Sequence, residues 1–485
     1  MLQPSLKTCE TYQAKHTVIP VYLSVYADNI TPILLLNLLK KGGRQCFLLE
    51  SATGGEQWGR YSFIGVDPVK TIACKNNVLT DNGKTVQEEP VTYLRKCLGA
   101  YSAPSLPGLP PFTGGFVGYF GYESVAYFEK AIRFDGKDEL ALPDMELMLF
   151  ENVICFDNLE QKIKIIMNIR TDHLAENYEY AYRECLRIAS KIGKIEPLDN
   201  ENTQTGPFTG NMTRDDYLQK VRRIQEYIKD GDIFQAVLAQ RFDASFSGSF
   251  LNVYRTLRTK NPSPYMYYLH FGEIEIAGAS PETLVKVEGG EIKTCPIAGT
   301  RPRGLNREED RALAESLLAD EKELSEHIML VDLARNDVGK VARFGSVRVA
   351  ESMTVVRYSH VMHLASLVTG TMAEGKDSLD VLEAVFPAGT LSGAPKIKAM
   401  QIIHEQEGEK RGVYGGAIGY IDFAGNMDMC IAIRTIVKKG GQVSIGAGAG
   451  IVYDSVPEKE YEETINKSAA VVQSLQQAGM DLFCL

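Results

Sequence analysis

The feature that most restricts what this chain can build is a polar, turn-rich run at 194–212 (KIEPLDNENTQTGPFTGNM), which divides 485 residues into two long stretches. A single core rarely grows beyond about 250–300 residues. The break therefore predicts two large regions, 14–165 and 213–475, joined by a linker region at 166–212. With 44% hydrophobic and 24% charged residues, both regions have enough apolar surface to bury a core.

The first region reads as mostly β. Thr31-Pro32 marks a helix start and Gly42-Gly43 its end. The apolar run at 33–39 between them is far too short to span a bilayer, and no signal peptide is visible. A cytoplasmic protein with no membrane partner is therefore expected. Strands are predicted at 45–51, 60–65, 116–122 and 147–156. A Gly-rich turn follows Ser51, and four prolines and three glycines make 103–115 a loop.

The second region opens on a helix. Thr213 with Asp216 forms a capping-box-like start, Tyr217, Val221, Ile224 and Ile228 share one face, and Gly231 stops it. A strand at 234–242 and a hairpin at 275–289 follow, then a long helical stretch from about 307 to 337. Strands near 414–423, 428–437 and 442–453 lead to a last helix from Pro457, where Ser455 and Glu458 resemble a capping box.

A net charge of −10 argues against nucleic acid as the main partner, which needs a basic footprint. An anionic small molecule would need locally gathered positive charge. The nine scattered cysteines are odd in number and include no C-x-x-C pair. They read as reduced, buried thiols rather than a disulfide framework or zinc site.

Four constellations could carry chemistry. In Glu323-Leu-Ser-Glu326-His327 and Glu460-Tyr-Glu-Glu463-Thr-Ile-Asn-Lys467, helical spacing puts Glu323 with Glu326, and Glu460 with Glu463 and Lys467, on shared faces. Brought together, they would form an all-oxygen cluster suited to Mg²⁺. A solvated helix face is the commoner meaning of an isolated E-x-x-E in an acidic chain. Gly446, Gly448 and Gly450 in SIGAGAGIV could offer backbone N–H groups to an anion, or serve close strand packing. CPIAGTRPRG and FPAGTLSGAPK are loop-like and dense in functional residue types, Arg434 ends a strand, and Tyr414 precedes Gly415-Gly416. An arginine in such a place can fork onto a carboxylate, or form a structural ion pair. His363 in an apolar stretch and Glu282 in GASPE each read either as core residues or as acid–base groups.

Taken in order, GASPE, PIAGTRPRG, ELSEHIMLVDLARNDVGKV, FPAGTLSGAPK and GAGIVYDSVPEKEYEETINK resemble the chorismate-utilising enzymes over 213–475. LLESATGGEQWGRYSFIG is similar to the N-terminal region of the anthranilate synthase component I family. The resemblance implies an α+β fold of four layers, α/β/β/α, with mainly antiparallel sheets and a smaller N-terminal regulatory part; domain limits in sequence and in space can differ there. It implies Glu326 and Glu463 as Mg²⁺ ligands, with Glu323 and Glu460 beside them. It assigns Gly299, Thr300, Thr390, Tyr414, Arg434, Gly448, Ala449, Gly450 and Lys467 to chorismate. Glu282 matches the general acid for the departing hydroxyl, and His363 a histidine of the pyruvate elimination.

Two positions separate family members. Water-using members have lysine where this chain has Gln235; ammonia needs no such base. Aminodeoxychorismate synthases usually carry PIKGT, whose lysine attacks the ring, whereas Ala298 cannot form that covalent intermediate. The implied reaction is chorismate plus ammonia giving anthranilate and pyruvate. A separate glutamine amidotransferase subunit would supply the ammonia, in a heterotetramer of two large and two small subunits. Glu50, Ser51, Pro264, Tyr265 and Met266 resemble the family's tryptophan feedback pocket. The rival readings are aminodeoxychorismate synthase component I and a non-catalytic subunit that senses tryptophan or chorismate.

Overall fold

The computed structural model describes residues 1–51, 59–192, 203–357 and 361–478. The turn expected after Ser51 and residues 194–202 of the polar run lie outside these residues. Two large sheets of thirteen and twelve strands dominate, and every ladder among the described strands is antiparallel. Phe47, Phe112, Tyr119, Phe150, Tyr267 and Ile418 fill the apolar layer between the sheets. Further apolar layers seat helices against the outer faces. Leu174–Ile192, Phe250–Lys260 and Pro457–Gln477 cover the thirteen-stranded sheet, and Pro90–Gly99 and Ser378–Val385 the twelve-stranded one. The four-layer α+β arrangement is thus present.

The two sequence regions share both sheets. Cys46–Glu50 pairs with Tyr265–His270, Glu50 opposite Met266, and Gly115–Phe120 pairs with Ala417–Asp422, Gly118 opposite Gly419. The N-terminal region thus extends both sheets. The stretch expected as a linker holds most of strand Lys162–Arg170 and helix Leu174–Ile192, and Gln204–Thr205 and Thr209–Gly210 pair with strand Gln235–Ser247.

Three predicted elements divide where the chain passes between sheets. The strand expected at 147–156 is two, Met145–Phe150 in the smaller sheet and Asn152–Asp157 in the larger. The expected hairpin at 275–289 is Ile274–Ser280 in the larger sheet and Thr283–Glu288 in the smaller. The strand expected at 428–437 becomes Met427–Ile431 and Thr435–Lys439, again one in each sheet. Alternation alone hides such crossings, because a strand buried on both faces reads as a continuous apolar run. The helical stretch at 307–337 also divides, into Arg307–Leu318 and Glu321–Gly339, the second capped by Asp320. The Thr213–Asp216 capping box forms as expected. The one at Ser455 does not: Val456 is the N-cap, and Ser455 instead accepts the N–H of Val452.

Candidate active site

Two of the sheet crossings lie side by side and carry the charged centre of the site. Pro281, which has no N–H to give a ladder, ends strand Ile274–Ser280, and Glu282 follows it across the gap. The Ile431 N–H donates to the Glu282 carbonyl at 3.0 Å, and the Ala279 N–H to the Arg434 carbonyl at 3.2 Å. Arg434 takes a left-handed φ of 50°, so it interrupts the strand it was expected to end. Glu282 is half-buried, and desolvation of its carboxyl pushes its pKa up to about 7. The Thr390 hydrogen bond and the charges of Lys467 and Arg434 oppose the rise. Thr390 Oγ1 donates to Glu282 Oε1 at 3.0 Å. A carboxyl held this way is protonated often enough near neutrality to serve as an acid.

His363 stands across from this pair on strand Val361–Thr371. Its Nδ1 lies 2.8 Å from the Gly299 carbonyl oxygen. A carbonyl only accepts, so Nδ1 carries the proton and Nε2 is the acceptor nitrogen. Burial lowers the His363 pKa, and Arg434 also disfavours the charged ring. The neutral imidazole is therefore a base. Gly299 has φ +66° within an irregular stretch of strand Ile297–Pro302, and Thr300 Oγ1 is 3.1 Å from the same Nδ1. Ala298 pairs with Leu364 in this strand.

The glycine run lies within a regular strand, Gln442–Ile451, laddered to Gln235–Ser247. Close packing accounts for part of it. A Cβ at Gly446 would overlap the Tyr414 ring, and one at Gly448 would come within 2.9 Å of the Tyr414 hydroxyl oxygen. A Cβ at Gly450 would lie 2.6 Å from Gln235 Nε2. Gln235 is 4% exposed, and among the described residues nothing donates to its Oε1. Ala449 is fully buried opposite Leu238. Lys467 Nζ donates to the Gly448 carbonyl at 3.0 Å and pairs with Glu463 at 2.6 Å.

The two acidic faces meet only electrostatically. Burial and then the charges of Glu323 and Glu463 raise the Glu326 pKa, so helices Glu321–Gly339 and Pro457–Gln477 bring like charge together. Burial raises Glu460 too, followed by repulsion from Glu463 and against a hydrogen bond from Ser455. Among the described residues no three His, Cys, Asp or Glu side chains converge closely enough to hold an ion. Glu323 is partly taken up by Arg301, at 3.3 Å, which also pairs with Asp320 at 2.7 Å. The oxygen-only donors, and the repulsion a cation would relieve, nevertheless fit a hard divalent ion. The arginines of PIAGTRPRG are structural, since Arg303 pairs with Asp310 at 2.6 Å. Lys396 is likewise a buried partner of Asp337 at 2.7 Å.

Sequence reasoning missed the buried frame beneath Tyr414. The Arg411 guanidinium donates to Glu407 at 2.5 and 2.8 Å and to the carbonyls of Leu391 and Val237 at 2.7 Å each. It also lies over the Tyr122 ring at 4.3 Å. No local pattern marks Arg411, because its partners come from four separate segments.

A second site lies away from this centre. Glu50, Ser51, Pro264, Tyr265 and Met266 line one cavity of about 130 Å³, together with Arg60 and Asp428. Burial raises the Glu50 pKa, against the pull of Arg258 and the Tyr254 hydroxyl. Tyr254 donates to Glu50 at 2.7 Å, and the buried Ser51 Oγ has no partner among the described residues. Asp428, with its pKa pushed by burial to about 6, escaped the sequence reading because strand Met427–Ile431 looked like ordinary core.

The family model for chorismate binding enzymes matches residues 44–473. The chain is 46% identical to anthranilate synthase component 1 of Acetivibrio thermocellus over 99% of both chains, and 44% identical to that of Aquifex aeolicus over 98% of both. Its fold is similar to anthranilate synthase component I from Streptococcus pneumoniae, with a TM-score of 0.77 and 38% identity over 92% of this chain and 99% of that one. The menaquinone-specific isochorismate synthase of Escherichia coli shares the fold alone, with a TM-score of 0.71 and 19% identity over 97% and 99%.

Proposed function

The chain belongs to the chorismate-binding enzyme family, where it groups with the anthranilate synthase component 1 chains, and on that premise we propose that it converts chorismate and ammonia to anthranilate and pyruvate, the first step of tryptophan biosynthesis. The observation that carries this reading is the gathering of Glu282, Thr390 and Arg434 at the paired sheet crossings, with neutral His363 near enough for Arg434 to disfavour its charged form.

In the proposed reaction, ammonia adds at ring C2 while protonated Glu282 gives its proton to the C4 hydroxyl, which leaves as water. Thr390 then stabilises the carboxylate so formed. Buried Gln235 turns its amide nitrogen toward Gly450 and has an acceptor oxygen unfilled among the described residues, suited to the N–H groups of ammonia. Nothing there needs to deprotonate a water. With Ala298 in place of an amine, no covalent ring adduct forms. His363 Nε2 is the base assigned to the ring proton in the second step, when pyruvate is expelled and aromaticity restored. Arg434 and Lys467 supply the local positive charge that an anionic substrate needs in an acidic chain.

Glu326 and Glu463 would hold Mg²⁺, supported by Glu460 and by Glu323. When bound, the ion supplies Lewis-acid polarisation and anchorage of the substrate's ring carboxylate. A glutamine amidotransferase subunit is the proposed ammonia source, in a two-plus-two heterotetramer. The cavity at Glu50 and Ser51 is the proposed feedback site for tryptophan, whose ammonium matches a buried carboxylate.

The test is purified chain with chorismate, Mg²⁺ and ammonium, followed by anthranilate fluorescence with and without tryptophan. Fluorescent product with pyruvate release, suppressed by tryptophan, is expected. Accumulation of an amino-substituted product without pyruvate would overturn the reading.

A further inference from the structure

Thr283 stands where two routes from the Glu50–Ser51 cavity reach Glu282. It directly follows Glu282, and its Oγ1 lies 2.9 Å from the hydroxyl of Tyr265, which lines the cavity. That same Tyr265 hydroxyl donates to Asp428 Oδ1 at 2.9 Å. A phenol has one proton. With that proton on Asp428, the Thr283 hydroxyl must be the donor to Tyr265.

The second route runs through backbone. Asp428 and Cys430 both line the cavity and lie on strand Met427–Ile431, where Cys430 pairs with Thr283. At the end of that strand the Ile431 N–H holds the Glu282 carbonyl at 3.0 Å, and the Ser280 hydroxyl donates to the Ile431 carbonyl at 2.7 Å. The ladder between the two strands is irregular between Thr283 and Val285. An irregular ladder leaves the backbone freer to re-aim a neighbouring side chain than a regular one does. Glu282 thus hangs from a segment one of whose side-chain anchors, Thr283 to Tyr265, sits on the cavity wall.

We infer that Thr283 is a positioning residue that couples occupancy of the Glu50–Ser51 cavity to the aim of Glu282. The inference rests on the proposed feedback reading of that cavity. A ligand that displaces the Tyr265 ring, or takes up the Asp428 carboxylate, changes the acceptor available to the Thr283 hydroxyl. The Glu282 carboxyl then leaves the position in which Thr390 and the leaving hydroxyl share it. No contact between ligand and substrate is required, and the coupling is reciprocal: substrate bound at Glu282 weakens tryptophan binding by the same factor.

The experiment uses the full chain with wild type, Thr283→Val and Thr283→Ser. Anthranilate formation is followed against tryptophan, and tryptophan affinity is measured by calorimetry with and without chorismate in magnesium-free buffer. Wild type should be inhibited, with tryptophan bound several-fold more weakly when chorismate is present, within the usual range of roughly 5–150-fold for coupled sites. Thr283→Val should bind tryptophan within about threefold of wild type, yet lose most of that reciprocal shift. Thr283→Ser, which keeps the hydroxyl, should restore it. The affinity shift needs no turnover, so a slow valine variant remains informative. An unchanged shift in Thr283→Val, with wild type inhibited, overturns the coupling and leaves the feedback site standing. Absence of tryptophan binding to wild type overturns both.

Discussion

Thr390 Oγ1 donates to the carboxyl of Glu282 across 3.0 Å, joining a tight turn of one segment to a sheet crossing of another. A hydroxyl donor favours the charged form of a carboxyl, so it holds the Glu282 pKa below the level that burial alone would set. As a general acid Glu282 works protonated, and activity should fall as pH rises through about 7. Thr390→Val removes the donor. The alkaline limb of the kcat profile should then move up by about one pH unit. A profile that drops in height with its limb in place would remove Thr390 from this role.

Glu282 also carries a stability consequence. Its folded pKa of about 7 stands above the ordinary 4.5, so its contribution is complete below about pH 4.5 and is lost as pH rises through 7. Glu282→Gln cannot ionise and escapes that loss. Between pH 5 and 8 the variant should gain roughly 1–3 kcal/mol on wild type, read as a widening difference in Tm by calorimetry. Parallel Tm curves would mean that the carboxyl is well solvated.

How much of this was legible in sequence depends on whether a residue's partners are local. The Thr213–Asp216 cap, and the placement of Glu323 with Glu326 on one helix, rest on spacings of three residues, and both were readable. The crossings at Pro281-Glu282 and Ala432–Arg434 were not. Residues on both sides of each are buried, so no change of polarity marks the passage from one sheet to the other. The glycines at 446–450 were ambiguous for a similar reason: a glycine under Tyr414 and a glycine open to an anion have the same one-letter code. Arg411 was invisible because Glu407 is its only near neighbour in sequence among its partners. The residues proposed to line a tryptophan pocket were named by resemblance, but Asp428 and Arg60 entered only once the cavity could be seen.

Ser51 borders the 130 Å³ cavity with a buried hydroxyl that finds no partner among the described residues. A phenylalanine there would fill most of the space a ligand needs. Ser51→Phe should abolish calorimetric tryptophan binding and leave anthranilate formation insensitive to tryptophan. Inhibition as strong as in wild type would remove this cavity from the feedback assignment.

Arg411 pairs with Glu407 inside the frame under Tyr414, both side chains being about 5% exposed or less. Deleting one partner leaves the other as an uncompensated buried charge, which typically costs about 3–5 kcal/mol. Arg411→Met should therefore lower the denaturation midpoint strongly, and Glu407→Gln less, because an amide still accepts one of the guanidinium bonds. Arg411 also holds the carbonyl of Leu391, next to Thr390. The methionine variant should thus lose activity at temperatures where it remains folded. Equal, mild destabilisation in both variants would show that water replaces the pair at little cost.

Glu326 and Glu463 repel one another across the gap between their helices, and burial sharpens the effect at Glu326. A divalent cation would turn that repulsion into attraction, so binding should appear as stabilisation before any turnover is measured. Wild type should show a Tm that rises with Mg²⁺ concentration in the absence of chorismate. In Glu326→Gln or Glu463→Gln the half-saturating Mg²⁺ should rise by at least about tenfold, since even loss of a group that only supports a ligand costs that much. Glu323→Gln should shift it less, because Arg301 already engages that carboxylate at 3.3 Å. The ranking decides the assignment. If Glu323→Gln proved the most damaging of the three, the ion would sit nearer to Gly299 than to helix Pro457–Gln477. Glu463 would then serve only to orient Lys467, with which it pairs at 2.6 Å.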